Sequence, residues 1–412
     1  MNEPTSAPGP GRAASHWPLL LAAAAILMLT MGTRQSLGLF MSPLNTATGL
    51  GVVSISFAMA VGQFVWGASQ PVFGILADRH GSGRVVVGGG ILLAVGLALT
   101  PFVGSEWGLM ASLGFLAAAG AGAGSFSILI GATARRLPPE RRSFAAGFIN
   151  AGGSMGQFVF APLSQALIGA FGWVAAMLAL AVSALATLPL ARLIGHTPHP
   201  ATPGAEPETS GALGMQLRMA MREPSYWCLH AGFFTCGFHV AFLITHLPGE
   251  VQLCGLPAGV AATSIAIIGA ANIAGSLSAG ALGSAYRMKY LLFWTYAARA
   301  VAILVYLAAP KTAATFYVFA AVLGFTWLST VPSTAGLVGK LFGTRYLATL
   351  FGLTLFSHQV GGFFGAWLGG LAVAGTGNYQ WMWIADIVLA LAAAVVNLPI
   401  REAPLSRRLA TT

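Results

Sequence analysis

Twelve apolar stretches, each long enough to cross a bilayer as a helix, fill this chain almost end to end. They run over roughly 17–43, 51–77, 83–103, 107–134, 143–170, 173–194, 225–248, 257–283, 289–309, 312–339, 346–374 and 379–401. About twenty consecutive apolar residues span the hydrocarbon core. Only 7% of the 412 residues are charged and 56% are hydrophobic, a balance that excludes a soluble globular chain of this length. The apolar residues come in blocks and do not alternate, which excludes a transmembrane β-barrel. Backbone groups in lipid must bond within their own segment, so the stretches are helices. The expected class is an all-α membrane protein.

Charge orients the helices. The N-terminal tail, the loops that follow even-numbered stretches and the C-terminal tail hold 17 of the 20 Lys and Arg residues. The opposite loops hold only Lys311, and Arg34 and Arg299 lie inside stretches. The positive-inside rule then places both termini in the cytoplasm and the chain in the cell membrane. The net charge of +10 is therefore a topology signal, spread over short loops, and not a nucleic-acid footprint. Runs such as "ARRLPPERR" (134–142) serve as topology anchors or touch anionic lipid. Residues 1–16 read as a disordered polar tail with no cleavable signal. Cys228, Cys236 and Cys254 form neither a disulfide framework nor a metal motif, so free thiols, no metal and no cofactor are expected.

The chain is duplicated. "TMGTRQSLGLFMSP" (30–43) aligns with "TCGFHVAFLITHLP" (235–248) at an offset of 205, which sets Arg34 against His239. "GILADRHGSGR" (74–84) aligns with "GALGSAYRMKY" (280–290), and Gly147 and Gly156 with Gly352 and Gly361, at nearly the same offset. Such internal repeats fix the architecture. Two parallel six-helix bundles, 17–194 and 225–401, are joined by a Pro- and Thr-rich linker over 195–224, and a tail follows at 402–412. Parallel six-helix halves with a solute site between them at the bilayer midplane describe secondary transporters.

"GILADRHGSGR" resembles the signature of the major facilitator superfamily, with Gly74, Asp78, Arg79 and Arg84 in its defining places. The resemblance covers 17–401 and implies that this loop holds one conformation of the cycle and lets go as the halves rock. It also implies that helices 1, 4, 7 and 10 line a central cavity, so that Arg34 and His239 face it together. An ionisable residue inside a membrane helix is a functional candidate by default. Asp386 is the only carboxylate within the twelve stretches, so a cavity lined by Arg34 draws an anion. Guanidinium grips a carboxylate through two parallel bonds and stays charged when partly desolvated. Histidine couples charge to pH.

"GTRQSLGLF", "GFHVAFLITHLP", "AARA" (297–300) and "FSHQVGGFFGAWLGG" resemble bacterial members of the monocarboxylate-transporter-like branch. That resemblance implies a small carboxylate carried with a proton, with Arg34 on the carboxylate. The branch's charged pair in helix 8 is replaced here by Asn272 and Ser276, so proton coupling falls to His239, His246 or His358, a choice the sequence leaves open. The expected substrate contacts are Arg34, His239, His358, Asn272, Gln157 and Trp327, and Arg299 and Asp386 are expected to pair within the scaffold. The chain is expected to act as a monomer. Organic-anion exchange and drug export by proton antiport are the alternatives. "GGSMG" around Ser154 lies mid-helix without an acid in reach, so no enzyme is expected.

Overall fold

The computed structural model describes residues 16–134, 136–137, 139–195, 210–343 and 347–403; within them a few side chains, including Asp78 and Ser284, lie outside the description. Among the described residues there are helices and turns and no strand. The first half comprises α1 (Trp17–Thr48), α2 (Val52–His80), α3 (Ser82–Phe102), α4 (Glu106–Thr133), α5 (139–171) and α6 (173–194). The second comprises α7 (Pro224–Leu253), α8 (Ala258–Ala285), α9 (Met288–Ala308), α10 (Ala313–Phe342), α11 (Leu347–Thr376) and α12 (Gln380–Asn397). Ten segments are long and apolar enough to cross a membrane. One of them, Ala145–Ile194, turns at Gly172, whose backbone is left-handed (φ 83°), and so supplies two passes. The 30-residue α11 completes the set of twelve passes.

Several boundaries differ from the sequence reading by three to five residues, and two differences bear on the structure. Helix α7 runs on to Leu253 and so includes a carboxylate, Glu250, to which Tyr306 Oη donates at 2.7 Å. The expected linker is partly helical. Ser210–Arg222 forms a helix whose Leu217 and Ala220 enter the apolar core of the second half, while Gln216 Nε2 donates to the Phe342 carbonyl at 3.2 Å. Apolar spacing on "GMQLRMAMR" gives it a face to bury. Residues 1–15, 196–209 and 404–412 lie outside the described residues.

Glycine does two separate jobs. The runs in α4, α5 and α11 pack each half internally: a Cβ on Gly120 would sit 2.3 Å from Leu93 N, one on Gly156 2.3 Å from Met28 O, and one on Gly361 2.0 Å from Phe234 O. Backbones this close exploit the missing side chain. A different set lies between the halves. A Cβ on Gly38 of α1 would sit 2.1 Å from the Ile244 carbonyl oxygen of α7, one on Gly370 of α11 2.5 Å from Ser56 of α2, and one on Gly269 of α8 2.8 Å from the Ser154 carbonyl oxygen of α5. The halves thus meet along α1–α7, α2–α11 and α5–α8. The Gly38 and Gly370 contacts close the molecule at the face opposite the basic loops. Toward the basic face, the last segments of α4 and α10 pack against helices of their own halves.

Helices α4 and α10 are both interrupted at matching depth, after Ala123 and after Thr326. A break leaves carbonyls and N–H groups without helical partners, which side chains must satisfy. In the first half Thr30 Oγ1 donates to the Gly124 carbonyl at 3.0 Å, and Ser127 Oγ donates to Gln70 Oε1 at 2.9 Å.

Candidate functional site

An open cavity of about 510 Å³, counting the space at its mouth, lies inside the first half against α7. Thr33, Arg34, Leu37 and Gly38 of α1, Met59, Gly62 and Gln63 of α2, and Ile244 and Thr245 of α7 are among its walls. The remainder is apolar surface from α3 and α4. Arg34 is its only charged residue.

Local sequence aims that charge. Just past Arg34, α1 tightens into a 3₁₀ turn over Leu37–Phe40, with Ser36 Oγ donating back to the Gly32 carbonyl at 2.8 Å. A 3₁₀ stretch inside a longer helix commonly marks a functional hinge. Arg34 is half-buried. Its Nη2 donates to Gln63 Oε1, and its guanidinium carbon lies 4.2 Å from the centre of the Trp66 ring. The ring supports the cation from one side, and Gln63 takes one of five N–H donors. No carboxylate is bonded to it among the described residues. A guanidinium fixed at one edge, open at the other and set in an apolar cavity is a receptor for a planar anion.

Of the six expected substrate contacts, Arg34 alone lines this cavity. His239 turns into its own half, where its Nδ1 is bonded to Asp386 Oδ2. A buried carboxylate without a partner is too costly, and His239 supplies that partner. Trp327 is buried at the α10 break and packs edge-on against the His239 ring, 5.9 Å between centroids. His358 is half-buried, accepting from Gln359 Nε2 at 3.2 Å and packing on Phe233. Gln157 is buried at the α5–α8 joint. Asn272 bonds within the protein through both of its amide atoms. Its Nδ2 donates to Ser154 Oγ of the first half (2.9 Å), and its Oδ1 accepts from Leu328 N (3.0 Å) and Ser276 Oγ (3.2 Å). It therefore fastens the α10 break to the α5–α8 joint.

The expected Arg299–Asp386 pair does not form. Arg299, 1% exposed, donates through Nη2 to the carbonyls of Thr326 and Trp327, the latter at 2.5 Å, and through Nη1 to Cys236 Sγ at 3.4 Å. The open end of a helix carries partial negative charge, and the break in α10 supplies one inside the bundle. That end takes the cation, and Asp386 is left to His239. Gly74 has open space around it, and Arg79 and Arg84 are exposed at the basic face. The Asp78 side chain lies outside the described residues.

Gln63 is a polar residue within an apolar stretch, and Trp66 lies one turn further along α2. The i, i+3 spacing of Gln63 and Trp66 was a usable signal. Nothing in the sequence pointed to Ile244 and Thr245 as a wall.

The comparisons with known proteins agree with this architecture. The profile of the Major Facilitator Superfamily matches residues 23–366. Monocarboxylate transporter 13 of Rattus norvegicus is 28% identical over 393 residues, covering 93% of this chain and 89% of that one. The oxalate:formate antiporter of Oxalobacter formigenes is 24% identical over 394 residues, covering 92% and 90%. Among solved structures, a bacterial homolog of the human lysosomal transporter Spinster in an inward-facing conformation superposes with a TM-score of 0.71 at 15% identity, covering 94% and 97%. A D-xylose-proton symporter does so with a TM-score of 0.71 at 14% identity, covering 93% and 97%. These relatives are transporters and not enzymes. With twelve helical passes in two packed halves and a profile match over most of its length, the chain belongs to the Major Facilitator Superfamily, as a multi-pass membrane transporter resembling the monocarboxylate-transporter-like branch.

Proposed function

We propose that the chain carries a small organic monocarboxylate across the cell membrane together with a proton, by rocking its two halves about a site at Arg34. The observation that carries this reading is the Arg34 guanidinium, held by Gln63 and Trp66 and facing a cavity that contains no acid. Two relatives bear carboxylates in their names, a monocarboxylate transporter and an oxalate:formate antiporter. The basic loops, Arg79 and Arg84 among them, face the cytoplasm in this reading. The described conformation, closed at the opposite face, is then the one that loads or unloads on the cytoplasmic side. Gly74, Asp78, Arg79 and Arg84 act on the conformational equilibrium: the exposed arginines are free in this state and engage when the basic face closes.

The test is uptake of labelled formate, lactate, pyruvate and oxalate into proteoliposomes, with and without an inward proton gradient. At least one monocarboxylate is expected to accumulate, at least 5-fold more with the gradient. Uptake confined to cations or uncharged solutes would overturn the reading. The antiporter relative favours a second reading, anion exchange. Exchange predicts that uptake needs a counter-anion inside the vesicle and ignores the gradient.

A further inference from the structure

Asp386 and His239 form a buried acid–imidazole pair between α12 and α7, with 0% and 1% of their surfaces exposed. The facing atoms, Asp386 Oδ2 and His239 Nδ1, are bonded to each other. The outer atoms are not satisfied: neither Asp386 Oδ1 nor His239 Nε2 has a partner among the described residues. Buried polar atoms are normally paired with protein or with water, so these two stand open to a further partner. The pair retains one acceptor on the acid and one donor or acceptor site on the imidazole.

The charges around it determine what one added proton does. Within about two turns of the pair along α7, the titratable or charged groups are Cys236 and His246; Tyr296, Arg299 and Tyr306 face it from α9, His358 from α11, and Tyr379, bonded to His246, precedes α12. None is a carboxylate. The nearest acid on either helix, Glu250, lies eleven residues further along α7, about 16 Å at 1.5 Å per residue. Arg299 is a permanent cation. It reaches the pair through two shared neighbours: Cys236, one turn before His239, and Trp327, whose carbonyl accepts from Arg299 and whose ring lies against His239. One proton added to the pair adds one positive charge near Arg299 in a medium of low dielectric, which is unfavourable until an anion arrives. The cavity wall at Ile244 and Thr245 lies five to six residues along the same helix, about 8 Å in axial rise. A carboxylate bound there offsets the added charge, so proton and anion load together.

We propose that the His239–Asp386 pair is the binding site of the co-transported proton. This rests on the carboxylate-transport reading above. One proton enters the pair from solvent on one face, is shared between Nδ1 and Oδ2 while the pair is covered, and leaves to solvent on the other face; no other bond forms or breaks. Trp327, at the break in α10, is the cover, and movement at that break exposes the pair.

The experiment uses the full chain in proteoliposomes with the labelled monocarboxylate, from formate, lactate and pyruvate, that the wild type accumulates. Two quantities are read for the wild type, Asp386→Asn and His239→Gln: accumulation driven by a proton gradient, and exchange of labelled for unlabelled substrate at equal pH. Both variants are expected to keep exchange within about 3-fold and to lose gradient-driven accumulation at least 10-fold. Variants that still accumulate like the wild type overturn the proposal. Pyranine trapped in wild-type vesicles gives a second measurement that needs no variant. It is expected to report proton entry with the carboxylate, and carboxylate uptake without proton entry overturns the proton site while leaving carboxylate transport intact. A wild type that moves none of the three acids overturns the transport reading and the proton site with it.

Discussion

Replacing Arg34 with glutamine is expected to lower monocarboxylate uptake about 100-fold while leaving the protein folded. A charge-assisted contact contributes about 1.5–3 kcal/mol, and a bidentate one in a partly desolvated cavity lies at the upper end, which corresponds to a factor of about 100. Folding is spared because Arg34 closes no ion pair and bonds only to Gln63 among the described residues. Glutamine keeps a donor within reach of Gln63. Arg34→Lys keeps the charge and loses the fork, so it should fall between the two, with a weakened apparent affinity. Initial rates of labelled uptake, beside a thermal unfolding curve in detergent, separate loss of function from loss of fold.

Gly38→Val is expected to lower uptake at least 10-fold by a different route. Gly38 lies in the 3₁₀ turn of α1, and a Cβ there would sit 2.1 Å from the Ile244 carbonyl, 3.1 Å from that of Thr245. Backbone cannot yield as a flexible side chain can. Overpacking of this kind costs about 3 kcal/mol or more. The cost falls on the state closed at the non-basic face and not on a state in which α1 and α7 part, so the equilibrium moves about 100-fold toward the latter. A cysteine placed at Thr245, in a chain whose three native cysteines are serines, reads the shift. In Gly38→Val an impermeant maleimide should label it faster from the face opposite the basic loops. Labelling and uptake equal to wild type would show that this contact does not govern closure.

Length, polarity and repetition made the fold legible. Apolar stretches with few charges allow nothing but helices in lipid, and the 205-residue offset requires two like halves. The break in α10 was not legible, because "FTWLSTVPS" carries no helix-breaking signal beyond Pro332. That break decides the local electrostatics: it creates the carbonyls that take Arg299, and so hands Asp386 to His239. The repeat alignment set Arg34 and His239 as equivalents facing one cavity. Equivalent backbone positions do not fix side-chain direction when one half sets a buried acid, Asp386, beside its residue and the other, among the described residues, does not. Arg34 itself was legible as the only charge between Arg12 and Asp78. Its neighbours were only partly so, since Gln63 stood out as a polar residue in a membrane helix while Trp66 looked like any apolar one. The glycine runs pack within each half, and single glycines at Gly38, Gly269 and Gly370 occupy the joints between the halves.

The central claim is that the site recognises negative charge through Arg34. The most direct measurement compares initial uptake of labelled lactate with that of lactamide, nearly the same shape without the charge, in proteoliposomes of the wild type and Arg34→Gln. The account predicts at least a 50-fold preference for lactate over lactamide in the wild type, falling to within about 3-fold in the variant. A wild type that transports the two equally well, or a preference that survives the loss of Arg34, would contradict it.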